Sequence, residues 1–170
     1  SDSSCWRRLR VVHSDRRFHD ERVAIVKNER SVMSKSGPAS VKGDFIDALG
    51  KNIRIEEDLR ERRLSGTSLS NEQFWEAKRK VFAEPDFSFP GGESSAEAQQ
   101  RAIRVIQRLL QEYGGKRIVV GTHGDIMTLM MNHYDYTFDF HFWKNTTMPD
   151  IYRLGFDANL ALKQVARLWN

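Results

Sequence analysis

The most informative change of hydrophobic pattern falls between residues 118 and 131. Three β-branched apolar residues follow one another at 118–120, and two small residues end the run. From residue 126 onward, apolar side chains recur at helical spacing. The pattern predicts a short strand buried on both faces, followed at once by a helix, with His123 at the turn between them.

The remaining hydrophobic pattern predicts further helices and strands on both sides of that turn. Ser70 precedes one amphipathic stretch, and Ser94 or Ser95 precedes another that stops at Gly114. Serine before a helix and glycine after it are ordinary helix boundaries. We therefore expect an α/β fold with helices over 45–49, 71–82 and 96–113 and strands over 9–13, 22–26, 52–55, 151–156 and 160–168.

Length and composition favour one domain spanning 1–170. Of the 170 residues 39% are apolar and 29% charged, and no apolar run reaches the roughly 18 residues that a membrane-spanning helix needs. The first residues lack the apolar segment of a signal peptide, so we expect a cytoplasmic location. Cys5 is the only cysteine and the five histidines show no close ligand spacing, so we expect no internal disulfide and no metal.

The charge balance changes this picture only slightly. Twenty-seven Lys and Arg against twenty-three Asp and Glu leave a net charge of +4. This modest excess suits a small anionic substrate, and it does not indicate nucleic acid as a partner. Nucleic-acid binding is retained only as the least favoured alternative, because arginines cluster near the amino terminus at Arg7, Arg8, Arg10, Arg16 and Arg17.

The turn at His123 is the first candidate for chemistry. It follows the carboxyl end of a predicted strand, where ligands of open α/β sheets bind, and the amide groups of the next helix favour anions there. Gly124 leaves room for a ligand to approach the backbone. An imidazole in this place can act as a nucleophile or as a cation that holds a transferred phosphate. The alternative is a histidine that caps the helix or satisfies a buried carbonyl.

Four passages, taken in order and spacing, resemble the histidine phosphatase superfamily, also called phosphoglycerate mutase-like proteins. The resemblance covers the chain from about residue 47 onward. Each passage is weak alone, and the order of the four makes the likeness specific. They are Leu59-Arg60-Glu61 with Gly66 after it, Phe89-Pro90-Gly91-Gly92-Glu93-Ser94, Val119-Val120-Gly121-Thr122-His123-Gly124, and Tyr152-Arg153-Leu154.

The resemblance implies a three-layer α/β/α fold with a mostly parallel central sheet and hydrolysis of small phosphate monoesters without metal or cofactor. A histidine becomes phosphohistidine while a carboxylic acid protonates the leaving oxygen. The matched passages assign the acid to Glu61 and the phosphate-holding histidine to His123. They also make a set of candidate substrate-binding residues: Arg60, Glu93, Ser94 and Gly124. Without the resemblance, the run of charged residues around Glu61 would indicate a solvent-exposed surface.

The amino-terminal part departs from the family pattern. Members open with a strand that ends in Arg-His-Gly, which supplies the nucleophile, and this sequence contains no such tripeptide. His13 is the nearest equivalent, with Val12 in the place of the arginine and Ser14 in that of the glycine. Two explanations for the atypical residues 1–46 are open: divergence with loss of catalysis, or a frameshift or deletion. The alternative function is therefore an inactive module of the same fold that binds phosphorylated ligands.

Overall fold

The computed structural model describes residues 54–115, 117–147 and 150–168, together with the backbone of 7–13 and 23–27. The strands are β1 (Arg7–His13), β2 (Val23–Lys27), β3 (Arg54–Glu56), β4 (Arg117–Thr122), β5 (Asp150–Phe156) and β6 (Leu162–Arg167). The helices are α1 (Asn71–Ala83), α2 (Ser95–Glu112), α3 (Gly124–Tyr134) and α4 (Phe140–Lys144), and a 3-10 turn spans Glu57–Leu59. The predicted helix over 45–49 lies outside the described residues.

The described strands form one mixed sheet in the order β3-β2-β4-β1-β5-β6. Only β1 and β4 pair in parallel, and the other four pairs are antiparallel. The prediction of an α/β fold is confirmed, but the described sheet is not mostly parallel. One reason is that β5 and β6 form a hairpin, whose short connection imposes an antiparallel pair. The mostly parallel sheet was an implication of the resemblance, since hydrophobic runs alone do not record strand direction.

One face of the sheet carries the described hydrophobic core. Alternate side chains of β4 and β5 are buried there against α2 and α3, as the two-residue period of a strand requires. The strand residues in this core are Ile118, Val120, Tyr152, Leu154 and Phe156.

Both long helices begin where the serines predict. Ser70 accepts a hydrogen bond from the Gln73 N–H and Gln73 reaches back to the Ser70 N–H, which completes a capping box at α1. Ser94 and Glu97 form the same box at α2. Helix α2 then ends before Gly115, whose φ of +73° is a conformation that glycine adopts without strain. The predicted starts of both helices are confirmed.

Strand β1 lies near the middle of the sheet, between β4 and β5. Its last residue, His13, pairs with Thr122 on one side and with Asp150 on the other. Because β1 and β4 are parallel, their carboxyl ends meet at the same edge of the sheet. The backbone of His13 is therefore beside the residue that precedes His123.

Candidate functional site

His123 occupies the N-cap position of α3. Its backbone is extended, with φ −104° and ψ 162°, and its carbonyl accepts the Met127 N–H at 2.8 Å. Its imidazole makes no capping hydrogen bond to α3, so the capping alternative does not describe this residue. The side chain is only 2% exposed. Low exposure is compatible with the base of an anion site, since a phosphate needs to reach only one ring nitrogen.

The segment that carries Glu61 is attached to the strand that carries His123. Leu59 is fully buried in the core, two residues before Glu61. The Thr122 hydroxyl donates a buried hydrogen bond of 3.0 Å to the Leu59 carbonyl. Glu61 itself is partly exposed, and its Oε1 accepts the Arg62 N–H at 2.8 Å. This hydrogen bond therefore joins the residue before His123 to the residue two positions before Glu61.

A second buried bridge joins the residues just after them. The Arg62 guanidinium is fully buried and donates from Nε at 3.0 Å and from Nη2 at 2.8 Å to Oδ2 of Asp125. Its Nη1 donates to the Ser95 hydroxyl at 2.5 Å, and that hydroxyl donates to the carbonyl of Val81. The two bridges together hold 59–62 against 122–125. This is the geometry that brings Glu61 and the His123 turn to one place.

Lys78, on α1, adds a second cation to the same carboxylate. Its ammonium donates a short hydrogen bond to Asp125 Oδ2 and lies 4.9 Å from the ring centroid of Trp143 and 5.4 Å from that of Phe74. Burial lowers the pKa of Lys78, and the nearby Arg62 charge acts in the same direction, although Asp125 and Glu61 oppose them. Burial alone would raise the pKa of Asp125, but Lys78 and Arg62 outweigh it and bring that pKa to about 2. The cluster is thus one firmly ionised carboxylate with two cations.

The buried cluster of Arg62, Lys78 and Asp125 was missed at the level of sequence. Arg62 belongs to a charged run whose ordinary reading is a solvated face, yet it is 3% exposed. That reading is wrong for Arg62, because its charge is paired inside the protein. One weak signal was present, since Asp125 stands two residues after His123 in a helix with no other Asp, Glu, Lys or Arg.

A cavity of ≈ 510 Å³ opens beside this cluster. It is lined by Glu61, Gly124, the three residues of the buried cluster, the rings of Phe74 and Trp143, and the loop 63–69. Its volume falls within the range of small-ligand sites. Of the sequence candidates, Glu61 and Gly124 therefore share one cavity. His123, adjacent to Gly124 in the chain, is not among the lining side chains.

The other substrate-binding candidates lie elsewhere and have structural partners. Glu93 accepts from Arg101 at 2.6 and 2.8 Å, and Arg60 Nη2 is 3.7 Å from Glu93. Arg101 also donates to the carbonyls of Asp58 and Arg60 at 2.6 and 3.0 Å, which ties α2 to the segment before Glu61. Ser94 caps α2. Arg60, Glu93 and Ser94 do not line the cavity of Glu61 and Gly124.

The Pro90-Gly91-Gly92 turn packs behind the cavity wall and forms none of its lining. The Gly66 N–H donates to the Pro90 carbonyl at 2.9 Å, and the Glu93 N–H to the Arg63 carbonyl at 2.7 Å. A Cβ at Gly92 would lie 2.4 Å from the Leu64 carbonyl oxygen, so no larger residue fits there without displacement of the wall. The assignment of Glu93 and Ser94 to substrate binding stays a prediction.

Within the described residues no group of three His, Cys, Asp or Glu side chains could hold a metal ion. Nor is any described helix long and apolar enough to cross a membrane. The nucleophile candidate His13 is placed by strand register alone, next to Thr122 at the carboxyl end of β1.

Comparison with known proteins agrees with this fold. Two solved structures share the fold: Bacillus stearothermophilus YhfR, with a TM-score of 0.63 and 16% identity over 95% of this chain and 96% of that one, and Mycobacterial hydrolase 1, with a TM-score of 0.62 and 16% identity over 97% and 98%. No curated protein matches the sequence. The model of the histidine phosphatase superfamily (branch 1) matches residues 43–159, which is more than half of the chain, and the protein therefore belongs to that superfamily.

Proposed function

We propose that the chain is a phosphomonoester hydrolase that acts through a phosphohistidine intermediate. His13 attacks phosphorus, the bond from phosphorus to the ester oxygen breaks, and the Glu61 carboxylic acid gives its proton to that oxygen. Water then attacks the phosphohistidine, and the Glu61 carboxylate takes the proton from it. His123 and the Gly124 amide stabilise the charge on the transferring group.

The pair of buried bridges between 59–62 and 122–125 carries this proposal. They bracket Glu61 and His123 on both sides, so the acid and the phosphate-holding group are fixed relative to each other before a ligand arrives. Preorganisation of this kind is where enzymes obtain most of their electrostatic stabilisation. The cavity beside the bridges supplies the room that a phosphate ester needs.

One observation favours a second function, a domain that binds phosphate esters without turnover. Val12 occupies the place of the family's arginine, so an important charge on the transferring phosphoryl group is missing from that strand. Loss of one preorganised donor costs about 3 to 4 kcal/mol of transition-state stabilisation. A chain with this defect can keep a cavity that binds phosphate while its turnover falls about a hundred- to a thousandfold.

The two functions are separated by measuring turnover and binding on the same preparation. With 4-nitrophenyl phosphate, hydrolysis that is abolished by His13→Gln and reduced at least about a hundredfold by Glu61→Gln supports the enzyme. An acid-labile, base-stable phosphoprotein trapped in the wild type and missing in His13→Gln identifies the intermediate. Binding of benzylphosphonate without hydrolysis of any aryl phosphate supports the binding domain. Neither binding nor hydrolysis contradicts both proposals.

The proposal requires a small phosphorylated substrate as the partner and neither metal nor cofactor. The proposed mechanism does not specify the leaving group of the substrate, because Glu61 and His123 act on atoms that all phosphate monoesters share. A cytoplasmic location stays a prediction from the sequence.

A further inference from the structure

The backbone around Glu61 lies outside regular secondary structure. Residues 60–69 form neither helix nor strand, so the ladder hydrogen bonds of those elements do not hold this segment. A reacting group must nevertheless be placed accurately, because a displacement of about 1 Å can cost roughly a hundredfold in rate. Other parts of the chain bind the carbonyl groups on both sides of the acid. The carbonyls held in this way are those of Asp58, Leu59, Arg60 and Arg63.

Arg101, on α2, binds two of these four carbonyls. Its Nη1 donates to the Asp58 carbonyl at 2.6 Å and to the Arg60 carbonyl at 3.0 Å. The Arg60 carbonyl belongs to the peptide bond that joins Arg60 to Glu61, so Arg101 holds the peptide unit of the acid itself. Arg101 is only 4% exposed, and these hydrogen bonds are therefore largely shielded from water.

Glu93 fixes the orientation of the Arg101 side chain. Its two carboxylate oxygens accept from Arg101 Nε at 2.6 Å and from Nη2 at 2.8 Å, which is a bidentate pair. This pairing leaves Nη1 for the two carbonyls. The Glu93 N–H also donates to the Arg63 carbonyl at 2.7 Å, two residues beyond Glu61. Arg101 and Glu93 together therefore bind the segment on both sides of the acid.

Neither Arg101 nor Glu93 lines the cavity that contains Glu61, and both line a separate surface groove. Their contacts with the segment are made to its backbone. We propose that Arg101 and Glu93 are positioning residues for the general acid, because they hold the Glu61 backbone where its carboxyl group meets the leaving oxygen. This proposal rests on the proposed function, since it takes Glu61 to be the acid.

Two aryl phosphates that differ in their need for an acid test the proposal. 4-Nitrophenolate leaves readily without a proton, whereas phenolate depends on general-acid catalysis, so a misplaced acid slows phenyl phosphate more than 4-nitrophenyl phosphate. The value of kcat/KM for each substrate reports the transfer of the phosphoryl group to His13, in which Glu61 protonates the leaving oxygen. The ratio of the two values does not depend on the folded fraction of a preparation, so a loss of stability alone leaves it unchanged.

In Arg101→Lys we expect kcat/KM to fall at least about fivefold more for phenyl phosphate than for 4-nitrophenyl phosphate, because an ammonium lacks the planar fork that binds Glu93 and two carbonyls at once. Glu93→Gln, which keeps the shape of the side chain and removes its charge, should change the ratio in the same direction. The control is Arg108→Lys, on the same helix, where the arginine binds the carboxylate of Glu56 at 2.5 Å. Its ratio should equal that of the wild type.

A double variant shows whether Arg101 acts through Glu61. Glu61→Gln removes the acid, and the position of this segment then no longer matters for protonation of the leaving oxygen. Adding Arg101→Lys to Glu61→Gln should therefore change the ratio of the two kcat/KM values by less than about twofold.

Three results would overturn the proposal. An equal loss for both substrates in Arg101→Lys and Glu93→Gln, or loss of the fold in both, would make the pair a structural support alone. A fivefold change of the ratio on adding Arg101→Lys to Glu61→Gln would show that Arg101 does not act through the acid. In these two cases turnover by the wild type leaves the proposed function intact. If the wild type hydrolyses neither substrate, the proposed hydrolase fails and this inference falls with it.

Discussion

Lys78 is buried in a way that stability alone does not favour. Removing one member of a buried ion pair is usually destabilising, because the remaining charge loses its partner. Here the remaining pair, Arg62 and Asp125, would be neutral and hydrogen-bonded. Lys78 therefore behaves as a surplus charge held by the rest of the structure, as groups at functional sites often are.

Lys78→Met should accordingly raise the free energy of unfolding at pH 7 by about 1 kcal/mol, because an apolar chain of similar length replaces a desolvated cation. The pKa of Lys78 in the folded protein is below its ordinary value of 10.5, so the unfolded chain binds more protons between those two values. Wild-type stability must then rise with pH in that window, and the advantage of the variant must shrink. Urea unfolding at pH 7 and pH 10 measures both effects.

The control for this stability test is Lys80→Met, which removes a 43% exposed ammonium from the same helix. It should change the free energy of unfolding by less than about 0.5 kcal/mol. Destabilisation of Lys78→Met at pH 7 would contradict the surplus-charge account, since it would mean that Lys78 is needed to balance Asp125.

Asp125 has the opposite role, because it is the single anion for two buried cations. Asp125→Asn should lower the free energy of unfolding by about 3 to 5 kcal/mol, the usual loss when one partner of a buried ion pair is removed. Adding Lys78→Met to Asp125→Asn removes one of the two stranded cations, so the double variant should be more stable than Asp125→Asn alone. Urea unfolding of the wild type, both single variants and the double variant gives the coupling energy. A coupling near zero would show that Lys78 and Asp125 do not share a charge balance.

At the scale of elements, the serines that precede α1 and α2 act as caps. Ser94 accepts the Glu97 N–H at 3.1 Å, and Glu97 accepts the Ser94 N–H at 2.9 Å, which lowers the pKa of Glu97. The same residue stood among the sequence candidates for substrate binding. A variant separates the two roles.

Ser94→Ala should lower the free energy of unfolding by about 1 kcal/mol, the usual effect of losing an N-cap side chain. Affinity for benzylphosphonate should stay within about twofold of the wild type, because Ser94 does not line the cavity. Ser70→Ala is the matched control, since it removes the equivalent cap from α1. A large loss of affinity for benzylphosphonate in Ser94→Ala, without a similar loss in Ser70→Ala, would indicate that Ser94 contacts the substrate.

These elements also show what the sequence can predict and what it cannot. Helix starts at Ser70 and Ser94 and the turn at His123 follow from local residue pattern, so they were predictable. The bond between Arg62 and Asp125 joins residues 63 apart, and nothing local distinguishes Arg62 from the exposed charges beside it. Lys78 lies within the predicted helix over 71–82, and nothing in the neighbouring sequence indicates that its side chain is buried. The missing information is tertiary, namely which long-range partner a charge finds.

At the scale of the whole molecule, the sheet explains how distant passages form one site. Antiparallel neighbours flank the parallel pair of β1 and β4, and this pair presents two neighbouring carboxyl ends at the same edge. Its register places His13 beside Thr122, although these residues are far apart in the chain. The atypical sequence around His13 does not prevent β1 from taking this central position. The match to Arg-His-Gly is therefore lost at Val12 and Ser14, while the strand that would present the nucleophile is present.

The last prediction concerns the stability of the whole fold. A ligand that binds only the folded protein stabilises it by RT ln(1 + [L]/Kd), about 2.7 kcal/mol at a hundred times Kd. The site joins the segments 59–62 and 122–125, which lie far apart in the unfolded chain, so the unfolded protein cannot bind the ligand there. Benzylphosphonate at that concentration should raise Tm by about 5 to 10 °C for a chain of this size. Differential scanning calorimetry, with chloride of matched ionic strength as the reference, measures the shift and removes general salt effects.

In His123→Gln the shift in Tm at the same ligand concentration should fall to less than half, because the imidazole no longer holds the phosphonate. A full shift in that variant would place the bound anion away from the His123 turn.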